Sequence, residues 1–119
     1  MARILVADDQ ATMRHIIAEM LQEKGHTVTA VEDGLAAYES AKSGDFDLIV
    51  ADVNMPRLDG LEFLKKIKAE KPGTKVIFVT GMLEETVRIG SAKLGLDGLI
   101  MKPFEKSVAL ELIEKILAR

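Results

Sequence analysis

Two adjacent carboxylates, Asp8 and Asp9, stand where the apolar run "ILVA" stops and an amphipathic pattern begins. A third, Asp52, follows the run "LIVA"; Thr80 ends "VIFVT", and Lys102 follows "GLIM" and precedes Pro103. Every one of these side chains sits at the carboxyl end of a β-rich run. Two unit charges ~4 Å apart repel by about 4 kcal/mol at an effective dielectric near 20, so three carboxylates in one pocket need a counter-charge. Phosphate commonly docks at such a corner, and Asp8 and Asp9 would repel it unless a cation docks first. Oxygen ligands without sulfur or histidine suit Mg²⁺, which keeps several waters and takes one or two protein carboxylates.

A carboxylate can also attack phosphorus, and it needs no general base when already ionised. Phosphoryl transfer asks the protein mainly for positioning and charge neutralisation. Asp52 is therefore the candidate nucleophile. Mg²⁺ on one side and the Lys102 ammonium on the other would neutralise the phosphoryl oxygens, and the Thr80 hydroxyl would donate one hydrogen bond. Backbone N–H groups just past Asp52 would donate more. Taken singly, each residue has an ordinary reading: a solvated strand end with a helix cap, a loop carboxylate, a β-branched strand residue, an exposed lysine. Their shared placement favours the site.

That placement depends on the elements between them. Strands are expected over Arg3–Ala7, Thr27–Val31, Asp47–Ala51, Lys75–Thr80 and Gly98–Met101, as short β-rich runs. Helices alternate with them. Met13, Ile16, Ile17, Met20 and Leu21 share one face of the first, which Gly25 closes. The second runs from about Leu35 to Lys42; the third carries Leu61, Leu64 and Ile67 and must stop before Pro72. The fourth, Leu83 to Leu94, is weak because Gly90 lies inside it, at a cost of about 1 kcal/mol against alanine. The fifth spans about Glu105 to Ala118, with Ala109, Leu112, Ile113, Ile116 and Leu117 inward. Such alternation implies an α/β fold with a doubly wound parallel sheet. In sheets of this kind ligands gather at the carboxyl ends of the strands, where strand order reverses. With strand order 2-1-3-4-5, Asp8, Asp9 and Asp52 converge, and Thr80 and Lys102 reach in beside them.

The 119 residues suit one domain, 1–119, burying roughly two-thirds of the chain's surface. A net charge of −3 argues against non-specific nucleic-acid binding, and 4% aromatic content against a base-stacking platform. No apolar run approaches the roughly 20 residues of a membrane span. The absence of cysteine excludes disulfides and agrees with a cytoplasmic location. His15 and His26 read as surface residues, Met13, Met20 and Met101 as core filler, and Met55 as partly exposed beside the site. "KKIKAEK" reads as a solvated helix face.

"VADD", "LIVADVNMPRLDG", "FVTG" and "IMKPF", in this order at the ends of successive predicted strands, resemble a response-regulator receiver domain essentially from end to end. The resemblance implies a flavodoxin-like fold and a signalling protein that assists its own phosphorylation and dephosphorylation, rather than an enzyme. Asp52 would accept a phosphoryl group from the phosphohistidine of a sensor histidine kinase, or from a small acyl phosphate. Asp9 and Asp52 would ligate Mg²⁺ with the backbone carbonyl of Asn54, and Asp8 would act through water. Lys102 would pair with carboxylate or phosphoryl oxygens, Thr80 would swing inward on phosphorylation, and the Lys102–Pro103 bond would be cis. The family's usual aromatic switch residue is replaced here by Leu99. Asn54 and Met82 would flank the hydrolytic water, with apolar Met82 slowing it. The first helix, "ATMRHIIAEML", resembles the chemotaxis receivers. A chain ending after the fifth helix suggests that no output domain is present, and a monomer is expected. It would signal by docking through the fourth helix, fifth strand and fifth helix onto a downstream protein, such as a flagellar motor switch or another relay protein. Two alternatives stand beside this. One is an Mg²⁺-dependent phosphohydrolase of the haloacid-dehalogenase type, disfavoured by Asn54 where a second carboxylate is usual. The other is a receiver-like binding module that is never phosphorylated.

Overall fold

The computed structural model describes residues 1–81 and 83–119. Five strands, β1 (Arg3–Ala7), β2 (Thr27–Val31), β3 (Leu48–Ala51), β4 (Lys75–Thr80) and β5 (Gly98–Met101), pair in parallel in the order β2-β1-β3-β4-β5. Five helices connect or follow them: α1 (Ala11–Gln22), α2 (Gly34–Ser43), α3 (Gly60–Glu70), α4 (Glu85–Lys93) and α5 (Lys106–Leu117). The expected fold and strand order are therefore found. Boundaries differ by a residue or two: Asp47 lies outside β3, its carboxylate accepting from the Arg3 N–H at 2.9 Å, and Leu83 and Glu84 precede α4.

Side-chain alternation along the strands divides the core into two layers, as period-two geometry requires. Ile4, Val6, Leu48, Val50, Ile77 and Val79 face one layer, closed by Ile17, Met20 and Leu21 of α1 and Ala109, Ile113 and Ile116 of α5. Leu5, Ala7, Ile49, Ala51, Val76 and Phe78 face the other, closed by Ala37 and Ala41 of α2 and Phe63, Leu64 and Ile67 of α3. α4 adds only the partly buried Val87 to that layer, so its weakness shows in packing as well as in sequence.

Two glycines hold the loop after β3 in place. The Gly60 N–H donates to the Val53 carbonyl at 2.7 Å, and a Cβ there would lie 2.7 Å from the Val53 Cα. The Gly34 N–H donates to the Pro56 carbonyl at 3.2 Å, and a Cβ on Gly34 would fall 1.8 Å from the Leu58 carbonyl oxygen. Asp33 and Asp59 cap the two helices that begin there, accepting from Ala36 N at 2.7 Å and Glu62 N at 2.9 Å.

Three side-chain expectations are corrected. His26 is not a surface residue: its side chain is 6% exposed, its Nδ1 accepts from the Ala2 N–H at 3.1 Å, and its Nε2 lies 2.8 Å from Glu114 Oε1. Met101 is 45% exposed rather than core, because it faces outward from the edge strand β5. Met55 is buried, drawn into the layer that holds Val53 and Phe63. The "KKIKAEK" face is solvated at Lys65 and Lys66, whereas Lys68 pairs with Asp97 at 2.8 Å.

Two of the helix glycines, Gly34 and Gly90, should respond oppositely to alanine. A Cβ on Gly90 would meet only the Leu61 methyls, at 3.5 and 3.6 Å, so Gly90→Ala should stabilise by up to about 1 kcal/mol. Gly34→Ala should destabilise by about 1–3 kcal/mol through overpacking. Urea unfolding midpoints of both variants check the signs; a stabilised Gly34→Ala would contradict the docked loop.

Candidate functional site

The register of the sheet brings the acidic residues together. Ala7 pairs with Val31 on one side and Ala51 on the other, so the next residues, Asp8 and Asp52, leave neighbouring strands at the same level. One further ladder bond holds each: Asp8 N–H to the Val31 carbonyl at 3.2 Å, and Asp52 N–H to the Ala7 carbonyl at 3.0 Å. Thr80 pairs with Met101, and the Lys102 N–H donates to the Thr80 carbonyl at 2.8 Å. The Lys102–Pro103 bond is cis, as the resemblance implied.

From that backbone the Lys102 ammonium reaches Asp52 Oδ2 at 2.8 Å and Asp8 Oδ2 at 3.0 Å. Both carboxylates are buried, which removes the solvated-strand-end reading of Asp8. Their other oxygens accept backbone donors, Asp8 Oδ1 from Gln10 N at 2.9 Å and Asp52 Oδ1 from Asn54 N at 3.0 Å. Among the backbone N–H groups past Asp52, that of Asn54 serves the Asp52 carboxylate itself. Asp8 does not cap α1, whose N-cap is Gln10 without a side-chain cap bond.

Asp9 is exposed, yet a carboxylate oxygen from each of Asp8, Asp9 and Asp52 lies within 4.8 Å of the others. Oxygens on opposite sides of one Mg²⁺ stand about 4.2 Å apart, twice the metal–oxygen distance of about 2.1 Å. Adjacent ligand oxygens stand nearer, about 3.0 Å apart, so the cluster would draw in somewhat to close on such an ion. Three formal negative charges against one ammonium leave two, the charge a divalent cation carries. On donor chemistry, spacing and charge, the residues fit Mg²⁺.

Thr80 is buried at the end of β4. Leu99 stands three residues before Lys102 on β5, half-buried against the layer that includes Val87 of α4. Met82 lies outside the described residues, so the expectation about its effect on water has no structural counterpart. Sequence reasoning passed over Arg14, whose Nη1 donates to the Asp8 carbonyl at 2.8 Å. The available signal was a cation in the first turn of a helix that carries no acidic residue there.

Burial disfavours the charge on Lys102, but hydrogen bonds and attraction from Asp52 and Asp8 outweigh it and raise its pKa above the usual 10.5. A raised folded-state value means that the stabilisation is complete below 10.5 and is lost as pH rises through the folded value. In metal-free buffer, Lys102→Met should destabilise by on the order of 3 kcal/mol by stranding buried carboxylates. The gap between wild type and Lys102→Met, followed by urea unfolding, should hold constant through neutral pH and narrow in the alkaline range, where the Lys102 ammonium loses its proton. A gap that narrows on acidification alone would contradict the assignment.

Comparison with known proteins agrees with this geometry. The family model for the response regulator receiver domain matches residues 4–114. The chain is 38% identical over 120 residues to the chemotaxis protein CheY of Pseudomonas aeruginosa, covering 98% of this chain and 97% of that protein. Among solved structures, a CheY-like receiver domain protein of Methanospirillum hungatei superposes with a TM-score of 0.95 at 29% identity, over 98% of this chain and 93% of the other. The receiver domain of a Pseudomonas aeruginosa sensor histidine kinase superposes with a TM-score of 0.89 at 27% identity, over 99% and 98% of the two chains. That structure holds a magnesium ion in its active-site cleft.

Proposed function

The chain belongs to the response-regulator receiver family, and on that premise we propose that it is a chemotaxis-type response regulator phosphorylated on Asp52 by a sensor histidine kinase. It is a signalling protein rather than a classical enzyme. The observation that carries the reading is the Lys102 ammonium bridging Asp8 and Asp52 beside the exposed carboxylate of Asp9.

Asp9, Asp52 and the backbone carbonyl of Asn54 are the groups that would hold Mg²⁺, with Asp8 acting through water. Bound there, the ion would supply positive charge to the phosphoryl oxygens opposite Lys102. An Asp52 oxygen forms its bond to phosphorus as the P–N bond of the donor phosphohistidine breaks, and the leaving imidazole takes the electron pair. Lys102 needs no large movement to exchange a carboxylate oxygen for a phosphoryl oxygen. Thr80, one residue past Val79 at the strand end, would donate its hydroxyl to the same group.

The readout would lie on the face formed by α4, β5 and α5. Ile89, Met101 and Val108, three exposed large hydrophobic residues, belong to those elements in turn. A groove between β5 and α5 is lined by Leu99, Met101, Pro103, Phe104, Val108 and Leu112. Leu99 touches both this groove and the α4 side, so its repacking would couple the site to the docking face. The partner is a downstream protein such as a motor switch or another relay protein, met by a monomer in the cytoplasm.

Incubation with a small acyl phosphate and Mg²⁺, followed by intact-mass analysis, should add one phosphoryl group to wild type and none to Asp52→Ala. Omitting Mg²⁺ should suppress the addition. An unmodified wild type would remove the reading, and a modified Asp52→Ala would move the acceptor elsewhere.

A further inference from the structure

Every polar atom of Asp8 is engaged. Its N–H bonds to Val31, Oδ1 takes the Gln10 N–H, Oδ2 takes Lys102, and its carbonyl takes Arg14 Nη1 at 2.8 Å. The last of these fixes the plane of the Asp8–Asp9 peptide and hence the direction in which the Asp9 side chain leaves the backbone. Asp9 has no such support of its own: it is exposed, and among the described residues its carboxylate makes no hydrogen bond or ion pair. It nevertheless lies with Asp8 and Asp52 inside the 4.8 Å cluster.

Arg14 is an odd residue for its place. It lies in the first turn of α1, where the helix dipole favours anions, and that helix start has neither an acidic residue nor a side-chain cap. It is half-buried rather than extended into water, and it spends its guanidinium on a carbonyl upstream of its own helix. Helix stability does not ask for a cation there. A preorganised ligand loop does, because a carboxylate held in place before the ion arrives loses less freedom on binding.

We propose that Arg14 is a positioning residue for the divalent-ion site: by holding the Asp8 carbonyl it aims Asp9 at the ion, an inference that rests on the metal-site reading above. Removal of partners that orient ligands commonly weakens metal affinity by about 10–100-fold. The sign is diagnostic. If Arg14 acted only through its charge, repelling a nearby cation, its removal would tighten Mg²⁺ binding. If it only supported the fold, its removal would lower the unfolding temperature and leave the affinity of the folded protein unchanged.

Isothermal titration of the full chain with Mg²⁺ separates these outcomes, using wild type, Arg14→Met, Arg14→Lys and Asp9→Asn, with thermal unfolding of each in metal-free buffer. Arg14→Met should bind Mg²⁺ about ten-fold more weakly than wild type. Arg14→Lys, which keeps one donor, should recover part of the loss, and it serves as the comparison if Arg14→Met does not fold. Unchanged or tighter binding by folded Arg14→Met, or by Arg14→Lys where Arg14→Met does not fold, with Asp9→Asn weakened, would overturn the role of Arg14 alone. Wild type that binds no Mg²⁺, or Asp9→Asn that binds as wild type does, would overturn the metal site itself and this inference with it.

Discussion

One ammonium group organises this molecule's functional edge. Lys102 reaches across 50 residues of sequence to Asp52 and 94 to Asp8, and it is the cation that makes two buried carboxylates side by side tolerable. Taking three charges out of water is costly, and a buried pair seldom adds much net stability. On the proposed function, the arrangement reads as stability given up for reactivity, with the Asp52 carboxylate in a site where small movements change its partners. The remaining negative charge is left for something else to neutralise.

The rest of the fold serves that edge. Strand order places the ends of β1 and β3 side by side and brings β4 and β5 in beside them. The ladder continues for one bond beyond the strands at Asp8, Asp52 and Lys102, so these backbones have little freedom. Gly34 and Gly60 let the loop after Asp52 lie against α2 and against itself. By contrast α4, which would carry the signal outward, contributes few buried side chains and contains Gly90. A tightly bonded backbone under Asp52 and a lightly packed helix beyond it are what the proposed phosphorylation-driven switch would need.

Much of this was legible in the sequence. Short β-rich runs, helical spacing and glycine or proline boundaries placed all ten elements, because a parallel sheet covered on both faces leaves continuous apolar runs. Asp8, Asp9, Asp52 and Lys102 were found from their places at strand ends, and they do converge. What the sequence hid depends on long-range contact. His26 looked like a surface residue because nothing nearby in sequence announces Glu114 or the Ala2 N–H. Met101 looked like core because a strand at the sheet edge reads much like an inner one until its neighbours are known. Gly34, just before the expected second helix, carries no sequence signal of close packing, since only the folded loop reveals the Leu58 carbonyl against it.

The central claim is that carboxylates from two strand ends are held at one divalent-ion site by a shared lysine. The most direct measurement is anomalous diffraction from crystals of the protein grown with Mn²⁺, an oxygen-seeking substitute for Mg²⁺. The account predicts a single strong anomalous peak touching the carboxylates of Asp9 and Asp52, with Lys102 still on the opposite side of Asp52. A map with no peak there, or with the Asp9 and Asp52 side chains turned away from each other, would contradict it.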